Sequence, residues 1–375
     1  MFNSSFAETI LFWFRENGRS LPWRETKNPY AIWLSEIILQ QTRIAQGWEY
    51  WERFMQTYPT VEDLTAANED EVLKLWQGLG YYSRARNLHA AAKQIVALGH
   101  FPDTLEGIKA LKGVGDYTAA AIGSFAFDIP AAVVDGNVYR VLSRYFGIDT
   151  PVNSTQGKKE FAALAQSLLP VSDVSAYNQG IMDFGAIQCT PQSPKCAICP
   201  LVETCEALRS GRVGELPVKQ KTVKVQSRHL TYIYIRCKEE TAIHRRGEGD
   251  IWQGLWEPFN ASLHDEAPTS IAEIQQMLHL KASDSLKLVV QGVKHVLTHR
   301  ILLTDFYLLE TENRPLLPDD YIWIKESDIV EYGIPRLIEK LLINSSLLQS
   351  GSSFVDGCKL GKPQEPACQR RCGHS

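Results

Sequence analysis

The sequence predicts a mostly α-helical N-terminal region followed by an α+β C-terminal region. Through about residue 200, apolar residues recur at helical spacing, as Phe6, Ile10 and Trp13 do near the start of the chain. Strand-like alternation first appears in RHLTYIYIRC at 228–237, and it recurs in LKLVVQGVKHVLTHRILLTDFYLLE at 286–310. Helical patterns at 269–279 and 326–343 accompany these strands, so the second region mixes both kinds of element.

The length of 375 residues is enough for two domains. We expect a catalytic region over 1–211 and a second domain over 229–346. The basic, proline-containing segment 212–228 separates them and is interpreted as a linker. Residues 347–375 are polar and rich in glycine and serine, which predicts a disordered tail.

Composition narrows the class of protein. The net charge of −4 provides no overall attraction to nucleic acid, so DNA binding would need a local basic surface. No apolar run is long enough to predict a membrane span. The first residues resemble an amphipathic helix and not a signal peptide, so we expect an intracellular, cytoplasmic or nucleoid-associated protein. In such a protein, eight cysteines suggest metal ligands or free thiols and not disulfides.

A glycine turn organises the stretch LKGVGDYTAAAIGSFAFDIPAAVVDGNVYR at 111–140. Gly113 and Gly115 permit positive φ, and a helix follows them at once. Free N–H groups at the start of a helix bind anions such as phosphate. A connector between two helices with no ligand is an equally good interpretation of the turn alone. The run 130–134 is strand-like, and it ends at Asp135.

Two carboxyl groups have the features of an acid and an anion. Three of the four helical neighbours of Glu36 are large and apolar, namely Ile32, Trp33 and Leu39. Burial there would raise the pKa of Glu36 and suit a general acid, although a solvated surface glutamate is the commoner case. Asp135 is a helix N-cap candidate, and the N–H groups of a cap would lower its pKa. Such a pair suits cleavage of a glycosidic bond.

Four cysteines lie close together with the spacing C-x6-C-x2-C-x5-C, at Cys189, Cys196, Cys199 and Cys205. Four thiolates within one short segment suit a single metal centre, either zinc or a cubane iron–sulfur cluster. Spacing alone leaves both metals open, and four unlinked thiols are the less favoured alternative.

These motifs together resemble the helix–hairpin–helix DNA glycosylases that carry an iron–sulfur cluster. The resemblance is to the MutY family of adenine-DNA glycosylases in particular, and it covers about residues 6–343. It rests also on PWR at 22–24, LSEIILQQTR at 34–43, WQGLGYYSRARNL at 76–88 and YNQGIMDFGAIQC at 177–189. It implies a helix–hairpin–helix region, built as a six-helix barrel plus a cluster domain, followed by a MutT/Nudix-like domain. It also implies a [4Fe–4S] cluster on the four cysteines.

The resemblance implies removal, after base flipping, of adenine paired with 8-oxoguanine or guanine in double-stranded DNA. Glu36 is expected to protonate adenine N7, and Asp135 to stabilise an oxocarbenium-like sugar with Asn137 orienting it. Tyr117 stands where bifunctional relatives carry a lysine nucleophile, which implies a monofunctional enzyme. By the same resemblance, Trp23 and Arg24 are expected to contact the flipped adenine. Gln41 and Tyr81 match positions that wedge into the duplex beside the lesion, and Leu39 lies nearby. Gly113 and Gly115 are expected to hold a backbone phosphate.

The second region resembles the 8-oxoguanine-reading domain of the family. IWQGLWEP at 251–258 resembles its GLWEFP turn, but no acidic metal-binding motif follows, so no Nudix hydrolase activity is expected. In KHVLTHR at 294–300, Thr298 and His299 are expected to read the lesion, whereas Leu297 replaces an aromatic residue. A plain turn at a strand end is the alternative. Asp116 is another departure from the family pattern, and we expect it to point to solvent.

Two other functions stay open at this stage. The first is a pyrimidine-lesion glycosylase with lyase activity, of the endonuclease III type. The second is a DNA-binding module that senses redox state through its cluster. The favoured interpretation is a monomeric adenine glycosylase whose partner is mispaired double-stranded DNA and which has no membrane partner.

Overall fold

The computed structural model describes residues 2–220, 225–281 and 283–347 of the chain. They form two compact units. Of the described residues, the first unit contains those within Met1–Gln226, Arg246–Leu255 and Leu297–Ile301, and the second contains those within Ser227–Arg245, Trp256–Val296 and 302–347. The predicted disordered tail lies outside the described residues beyond Leu347.

The first unit is helical, as the sequence predicts. Its helices are α1 Phe2–Asn17, α2 Pro29–Ile38, α3 Ile44–Thr57, α4 Val61–Ala66, α5 Glu69–Leu75, α6 Ser83–Leu98, α7 Leu105–Lys109, α8 Asp116–Phe127, α9 Gly136–Phe146, α10 Thr155–Ser167, α11 Val174–Asp183 and α12 Glu206–Arg209. Pro22–Arg24 forms a 3₁₀ turn, and α11 continues into a π-helical turn at Phe184–Gln188. Local caps begin several of these helices: Asn28 caps α2, and Thr60 and Asn68 form capping boxes on α4 and α5.

Three apolar cores support this unit. The first lies among α2 to α6 and α8, where Trp33, Phe54 and Trp76 are fully buried. The second lies among α1, α9, α10 and α11 and includes Phe6 and Phe161. Glu36 belongs to a helix of the first core, whereas Asp135 precedes a helix of the second. The third core joins these two regions, because it packs Ile32 of α2 and Ala121 of α8 against Val133 in the segment that leads into Asp135.

The strand predicted at 130–134 is wrong, because this segment has no regular secondary structure and pairs with no described strand. Its backbone groups form hydrogen bonds with side-chain amides instead. The buried Asn178 donates to the Ala131 carbonyl at 2.8 Å and accepts from the Val133 N–H at 3.2 Å. On the outer side, Gln166 accepts from the Ala132 N–H at 3.0 Å and donates to the Pro130 carbonyl at 2.9 Å. This clamp fixes the segment that leads into Asp135.

The second unit is α+β, as predicted. Its sheet has the strand order β4-β5-β1-β3-β2-β6, with an additional pairing between β1 and β2. The strands are β1 Gln226–Cys237, β2 Glu240–Arg245, β3 Trp256–Asn260, β4 Ser285–Val296, β5 Arg300–Thr311 and β6 Tyr321–Lys325. The pairings β1–β2, β1–β3, β2–β3 and β2–β6 are antiparallel, and in the last of these Ile243 stands opposite Ile322.

Helices complete the second unit. Helix α13, Ile271–Met277, contributes Ile274 to a core shared with Ile233 and Leu309 of the sheet. The helix predicted over 326–343 is instead split into a 3₁₀ segment, Glu326–Glu331, and α14, Arg336–Asn344. Pro335 immediately precedes α14, where a proline disfavours continuation of a preceding helix. Within the described ranges, no helix is long and apolar enough to cross a membrane.

Replacement of Asn178 by alanine tests the clamp on the segment before Asp135. We expect Asn178→Ala to lower the free energy of unfolding by about 2–4 kcal/mol, because two buried backbone groups lose their partners. Gln166→Ala is the matched control, since Gln166 makes the same two kinds of bond from an exposed position. Gln166→Ala should lower the free energy of unfolding by about 1 kcal/mol or less, because water replaces the lost hydrogen bonds. Denaturant titration of both variants makes the comparison, and equal losses would contradict it.

Candidate active site

A cavity of about 990 Å³ in the first unit is lined by most of the residues that the sequence selected for catalysis and DNA contact. Among the residues that line it are Trp23, Arg24, Glu36, Leu39, Gln41, Tyr117, Asp135 and Asn137. They come from α2, α8, the start of α9 and the 3₁₀ turn, so the tertiary fold brings together residues far apart in the chain.

Glu36 is buried in the wall of this cavity, with 7% of its surface exposed. The Tyr117 hydroxyl donates to Glu36 Oε2 at 2.9 Å. Burial raises the pKa of Glu36 from its ordinary value of 4.5 to about 7, although the Tyr117 hydrogen bond and the Arg24 charge oppose this rise. The alternative of a solvated surface glutamate is therefore wrong, and at neutral pH a large fraction of this carboxyl group carries a proton.

Asp135 is the N-cap of α9, as expected. Its Oδ1 accepts from the N–H groups of Asn137 and Val138, each at 2.8 Å, and its Oδ2 accepts from Asn137 Nδ2 at 2.7 Å. The expected lowering of its pKa is wrong. Burial raises the pKa of Asp135, and the three hydrogen bonds and the Arg140 charge offset this effect only in part.

Arg140, which the sequence analysis did not select, fixes the orientation of Asn137. Its Nη2 donates to Asn137 Oδ1 at 2.8 Å and to the Gly185 carbonyl at 2.6 Å. With its oxygen occupied in this way, Asn137 presents its NH₂ group to Asp135. Gly185 has to be a glycine here, because a Cβ at this position would lie 2.6 Å from the Asn137 Cβ.

Asp183 is a second residue that sequence reasoning missed. Its fully buried carboxylate binds Arg24 through Nη1 at 2.8 Å and Nη2 at 2.9 Å, and it also pairs with Arg19. Hydrogen bonds from both arginines lower the pKa of Asp183 despite its burial. This bidentate pairing holds the Arg24 guanidinium at the cavity wall. The family motif at 177–189 contains Asp183, but no local pattern indicated its role.

Trp23 lines the cavity but is itself buried, with 6% exposed. Its ring meets those of Trp48 and Trp51 edge-on, at centroid distances of 5.8 and 5.6 Å. Only part of this side chain is therefore available to a ligand, and its position is fixed by the two neighbouring tryptophans.

The glycine turn does not line the cavity. Gly113 has φ +78°, and a Cβ there would lie 2.7 Å from the Asn87 Cβ, so glycine is required. Gly115 has φ −96°, so the positive φ that glycine permits is used at Gly113 and not at Gly115. A Cβ at Gly115 would meet nothing within 4 Å, which leaves open space beside the N-terminus of α8. Asp116 is exposed as expected, and its carboxylate pairs with Lys109.

The remaining selected residues also lie outside the cavity lining. Tyr81 is 47% exposed and has a positive φ of 47°, a backbone conformation that it shares with Gln41 of the cavity lining, at 57°. Thr298 and His299 are exposed in the turn between β4 and β5. Both belong to the first unit, where the Thr298 hydroxyl forms a hydrogen bond with the Tyr81 hydroxyl.

The four clustered cysteines are free thiols of intermediate burial. Burial and the neighbouring thiols raise the pKa of Cys199 to about 11. Arg144 donates to Cys189 Sγ at 3.4 Å, and Cys205 Sγ donates to the Arg144 carbonyl at 3.7 Å. As placed, the described His, Cys, Asp and Glu residues form no group of three that could hold a metal ion. The donor chemistry nevertheless fits an iron–sulfur cluster, because all four thiols are unpaired and near enough to interact electrostatically.

Comparison with known proteins identifies the family. Residues 34–170 match the HhH-GPD superfamily of base excision DNA repair proteins, and residues 231–344 match the NUDIX domain. The chain is 30% identical over 347 residues to the adenine DNA glycosylase of Buchnera aphidicola subsp. Schizaphis graminum, covering 90% of this chain and 97% of that protein. It is 42% identical over 224 residues to the adenine DNA glycosylase of Mus musculus, covering 57% of this chain and 44% of that protein.

A solved structure supports the fold assignment. A thermostable thymine-DNA glycosylase superposes with a TM-score of 0.52 and 34% identity, over 56% of this chain and 97% of that chain. Together with the full-length relatives, this defines a DNA glycosylase of the helix–hairpin–helix superfamily. The chain belongs to the adenine DNA glycosylase family. It is therefore a base-excision repair enzyme that removes adenine from DNA, and this family is generally associated with an iron–sulfur cluster.

Removal of the Tyr117 hydroxyl should shift the titration of Glu36. In the native protein the Tyr117 O–H stabilises the ionised Glu36 carboxylate, so Tyr117→Phe should raise the pKa of Glu36 above about 7. The carboxyl group would then stay protonated to higher pH. NMR titration of a ¹³C-labelled glutamate carboxyl, assigned with Glu36→Gln, measures the shift. An unchanged or lower pKa in Tyr117→Phe would contradict this account of the hydrogen bond.

Proposed function

We propose that Glu36 and Asp135 carry the excision step, and that the adenine removed is the one paired with 8-oxoguanine or guanine in double-stranded DNA. The observation that carries the proposal is that two different carboxyl groups line one cavity. Glu36 is buried and its pKa is raised, whereas the Asp135 carboxylate accepts hydrogen bonds from three N–H groups. The sharing of roles between an acid and an anion suits hydrolysis of a glycosidic bond.

In this mechanism protonated Glu36 gives its proton to N7 of the extruded adenine. The bond between C1′ and N9 then breaks, and its electron pair leaves with the neutral base. The positive charge that develops on the sugar is stabilised by the Asp135 carboxylate, which Asn137 and the N-terminus of α9 hold in place. Water adds to C1′ and passes a proton to the Glu36 carboxylate, which restores the acid and completes hydrolysis.

Arg24 and Tyr117 shape the site around this step. Asp183 holds Arg24 bidentately at the cavity wall, so the guanidinium has a fixed position near Glu36. We propose that Arg24 and Trp23 contact the extruded base and that Leu39 lies beside it. Tyr117 presents a hydroxyl group where a strand-cleaving enzyme would need an amine to form a Schiff base. The proposed enzyme is therefore monofunctional.

The second proposal concerns the DNA partner. We infer that residues 229–346 form a reading domain and residues 1–211 the catalytic region, joined by 212–228. Thr298 and His299 are exposed and carry hydrogen-bonding groups, which supports contact with 8-oxoguanine. Gly113 and Gly115 at the start of α8 are proposed to hold a DNA phosphate, and the open space beside Gly115 supports this role. The acidic residues of a Nudix hydrolase motif do not follow residue 258, so hydrolase activity is not proposed.

The third proposal concerns the cofactor. We infer that Cys189, Cys196, Cys199 and Cys205 hold a [4Fe–4S] cluster. When bound, the cluster would cross-link the four thiolates and so hold residues 189–205 as one compact loop. Arg144 also holds this loop, through bonds to the Thr190 and Pro191 carbonyls at 2.7 and 3.1 Å. We further propose that the enzyme works as a monomer inside the cell, where its DNA substrate is.

Release of adenine under single-turnover conditions tests the mechanism and the partner together. We expect the wild-type protein to release adenine from A:8-oxoguanine and A:G duplexes, and faster from the first. Glu36→Gln should lower the rate by about 100-fold or more, because general acid catalysis contributes about that much. The matched control is Glu25→Gln, which changes an exposed glutamate outside the cavity lining and should keep the wild-type rate.

Three outcomes would count against these proposals. Release of no adenine by the wild-type protein would overturn the function, and equal rates on the two duplexes would overturn the proposed reading of 8-oxoguanine. Borohydride trapping of a covalent protein–DNA adduct on an oxidised-pyrimidine duplex would instead favour the lyase alternative, since only an amine nucleophile forms that adduct.

The cofactor proposal has its own measurement. Protein purified without oxygen should be brown, with absorbance near about 400 nm from charge transfer between thiolate and iron. Cys199→Ser should lose this colour, whereas Cys237→Ser should keep it, because Cys237 is a buried thiol of β1 in the second unit. A colourless wild-type protein with one equivalent of zinc would refute the iron–sulfur assignment.

A further inference from the structure

Two short loops in the first unit present residues with an unusual backbone conformation. The first, residues 39–42, follows α2 and carries Gln41 with φ 57°. The second, residues 77–82, precedes α6 and carries Tyr81 with φ 47°. Positive φ is uncommon for residues other than glycine, and it persists only where the surrounding structure imposes it. Gln41 and Tyr81 are both exposed, so their own side-chain burial does not supply this constraint.

Arg84, in the first turn of α6, is bonded to both loops. Its Nη1 donates to the carbonyls of Ile37 at 3.0 Å and Ile38 at 3.3 Å, and also to the Gln40 carbonyl. The carbonyls at the end of a helix lack partners within the helix and lie at the negative end of its dipole, so a guanidinium suits this position. The first loop is therefore held on its α2 side by one nitrogen of Arg84.

The other nitrogen of the guanidinium holds the second loop. Arg84 Nη2 donates to the carbonyls of Leu79 at 3.4 Å and Gly80 at 3.3 Å, and the Arg84 backbone N–H donates to the Tyr81 carbonyl at 2.8 Å. The guanidinium also lies over the rings of Trp76 and Tyr81, at 5.1 and 5.5 Å from their centroids. A planar fork with donors on two nitrogens can bridge the loops, whereas a lysine ammonium is a single point charge.

The same helix also contacts the glycine turn. Asn87 packs against Gly113, and Gln94 Oε1 accepts from the Lys112 N–H at 2.7 Å. Helix α6 thus connects the proposed phosphate-binding turn with the two loops. The spacing between the point that grips the DNA backbone and the residues Gln41 and Tyr81 is set by contacts of one helix.

We propose that Arg84 is a positioning residue that holds the loops 39–42 and 77–82 at a fixed separation, so that Gln41 and Tyr81 enter the DNA together and drive extrusion of the adenine. The inference rests on the proposed function, because it assigns the loops to the base-flipping step of that reaction. Arg84 itself does not line the cavity, so its effect on excision passes through the loops. Extrusion costs the least free energy for a base that is already unpaired. Loss of Arg84 should therefore slow excision more for a paired adenine than for an unpaired one, and this comparison tests the positioning role.

The experiment compares Arg84→Met and Arg84→Lys with wild type on two duplexes. In one the target adenine lies opposite guanine, and in the other it lies opposite an abasic site and is already less stacked. We expect Arg84→Met to lower single-turnover excision by about tenfold or more on the first duplex and by less than about threefold on the second, with Arg84→Lys intermediate. Affinity for a duplex without a target adenine, measured by fluorescence anisotropy, should change by less than about threefold, since the phosphate grip is unaltered.

Arg53→Met is the matched control. Arg53 is also half-buried and also lies over an aromatic ring, that of Tyr50 at 4.0 Å, but its hydrogen bond goes to Glu49 of its own helix. It should excise adenine from both duplexes as the wild type does. Circular dichroism melts check that the variants fold. If Arg84→Met does not fold, Arg84→Lys takes its place. Its excision rate should then fall more on the duplex with guanine than on the duplex with the abasic site.

A second readout separates this inference from the proposed chemistry. In a Glu36→Gln background, 2-aminopurine beside the target adenine should brighten when the protein binds, and Arg84→Met should abolish that rise. Loss of the same size on both duplexes, or an unchanged fluorescence rise, would overturn the positioning role. If the wild-type protein releases no adenine, the proposed function fails, while the fluorescence result still decides whether Arg84 controls unstacking.

Discussion

The structure of the site depends on keeping a carboxyl group dry. Glu36 is 7% exposed on α2, and its carboxyl group accepts a hydrogen bond from the Tyr117 hydroxyl on α8. A buried carboxyl group resists ionisation, which is why the pKa of Glu36 rises to about 7. The bond to Tyr117 limits that rise and ties α2 to α8. Packing of these two helices therefore decides both the position of the acid and the fraction of it that carries a proton.

The Asp135 carboxylate is held in the site in a different way. Asp135 ends a segment whose backbone groups are held by the amides of Asn178 and Gln166, and it then caps α9. The cap satisfies N–H groups that would otherwise lack partners, so one carboxylate begins a helix and faces the cavity at once. Because Asp135 is also buried, its pKa rises, and the hydrogen bonds from Asn137 and Val138 are needed to favour its ionised form.

Arginines are the long-range connectors of the first unit. Arg24 is fixed by Asp183, Arg140 orients Asn137, Arg144 holds the cysteine segment, and Arg84 joins two loops through their carbonyls. Each guanidinium spans groups that are distant in sequence, because its planar fork offers donors in several directions. The net charge of −4 gives no indication of these arginine contacts, because the arginines that organise the unit are largely turned inward.

Local sequence determined the elements and the residues that local chemistry governs. Apolar spacing predicts the helices, the Asp-Gly-Asn motif predicts the cap at Asp135, and the apolar neighbours of Glu36 predict its burial. The resemblance to a glycosylase family selected eight residues that the fold does bring to one cavity. The helices, the cap and the burial of Glu36 depend on positions a few residues apart, where periodicity and capping preferences act, whereas most of the eight cavity residues were implied only by the resemblance.

Only the tertiary structure determined the features that depend on residues far apart in the chain. Residues 130–134 do not form a strand, because side chains of α10 and α11 make hydrogen bonds with their backbone groups. The pKa of Asp135 is raised and not lowered, because burial outweighs the cap. Asp183 lies 159 positions from Arg24, and Arg84 reaches carbonyls up to 47 positions away. Burial and pairing at such separations depend on the packed fold, which the spacing of residues along the chain does not encode locally.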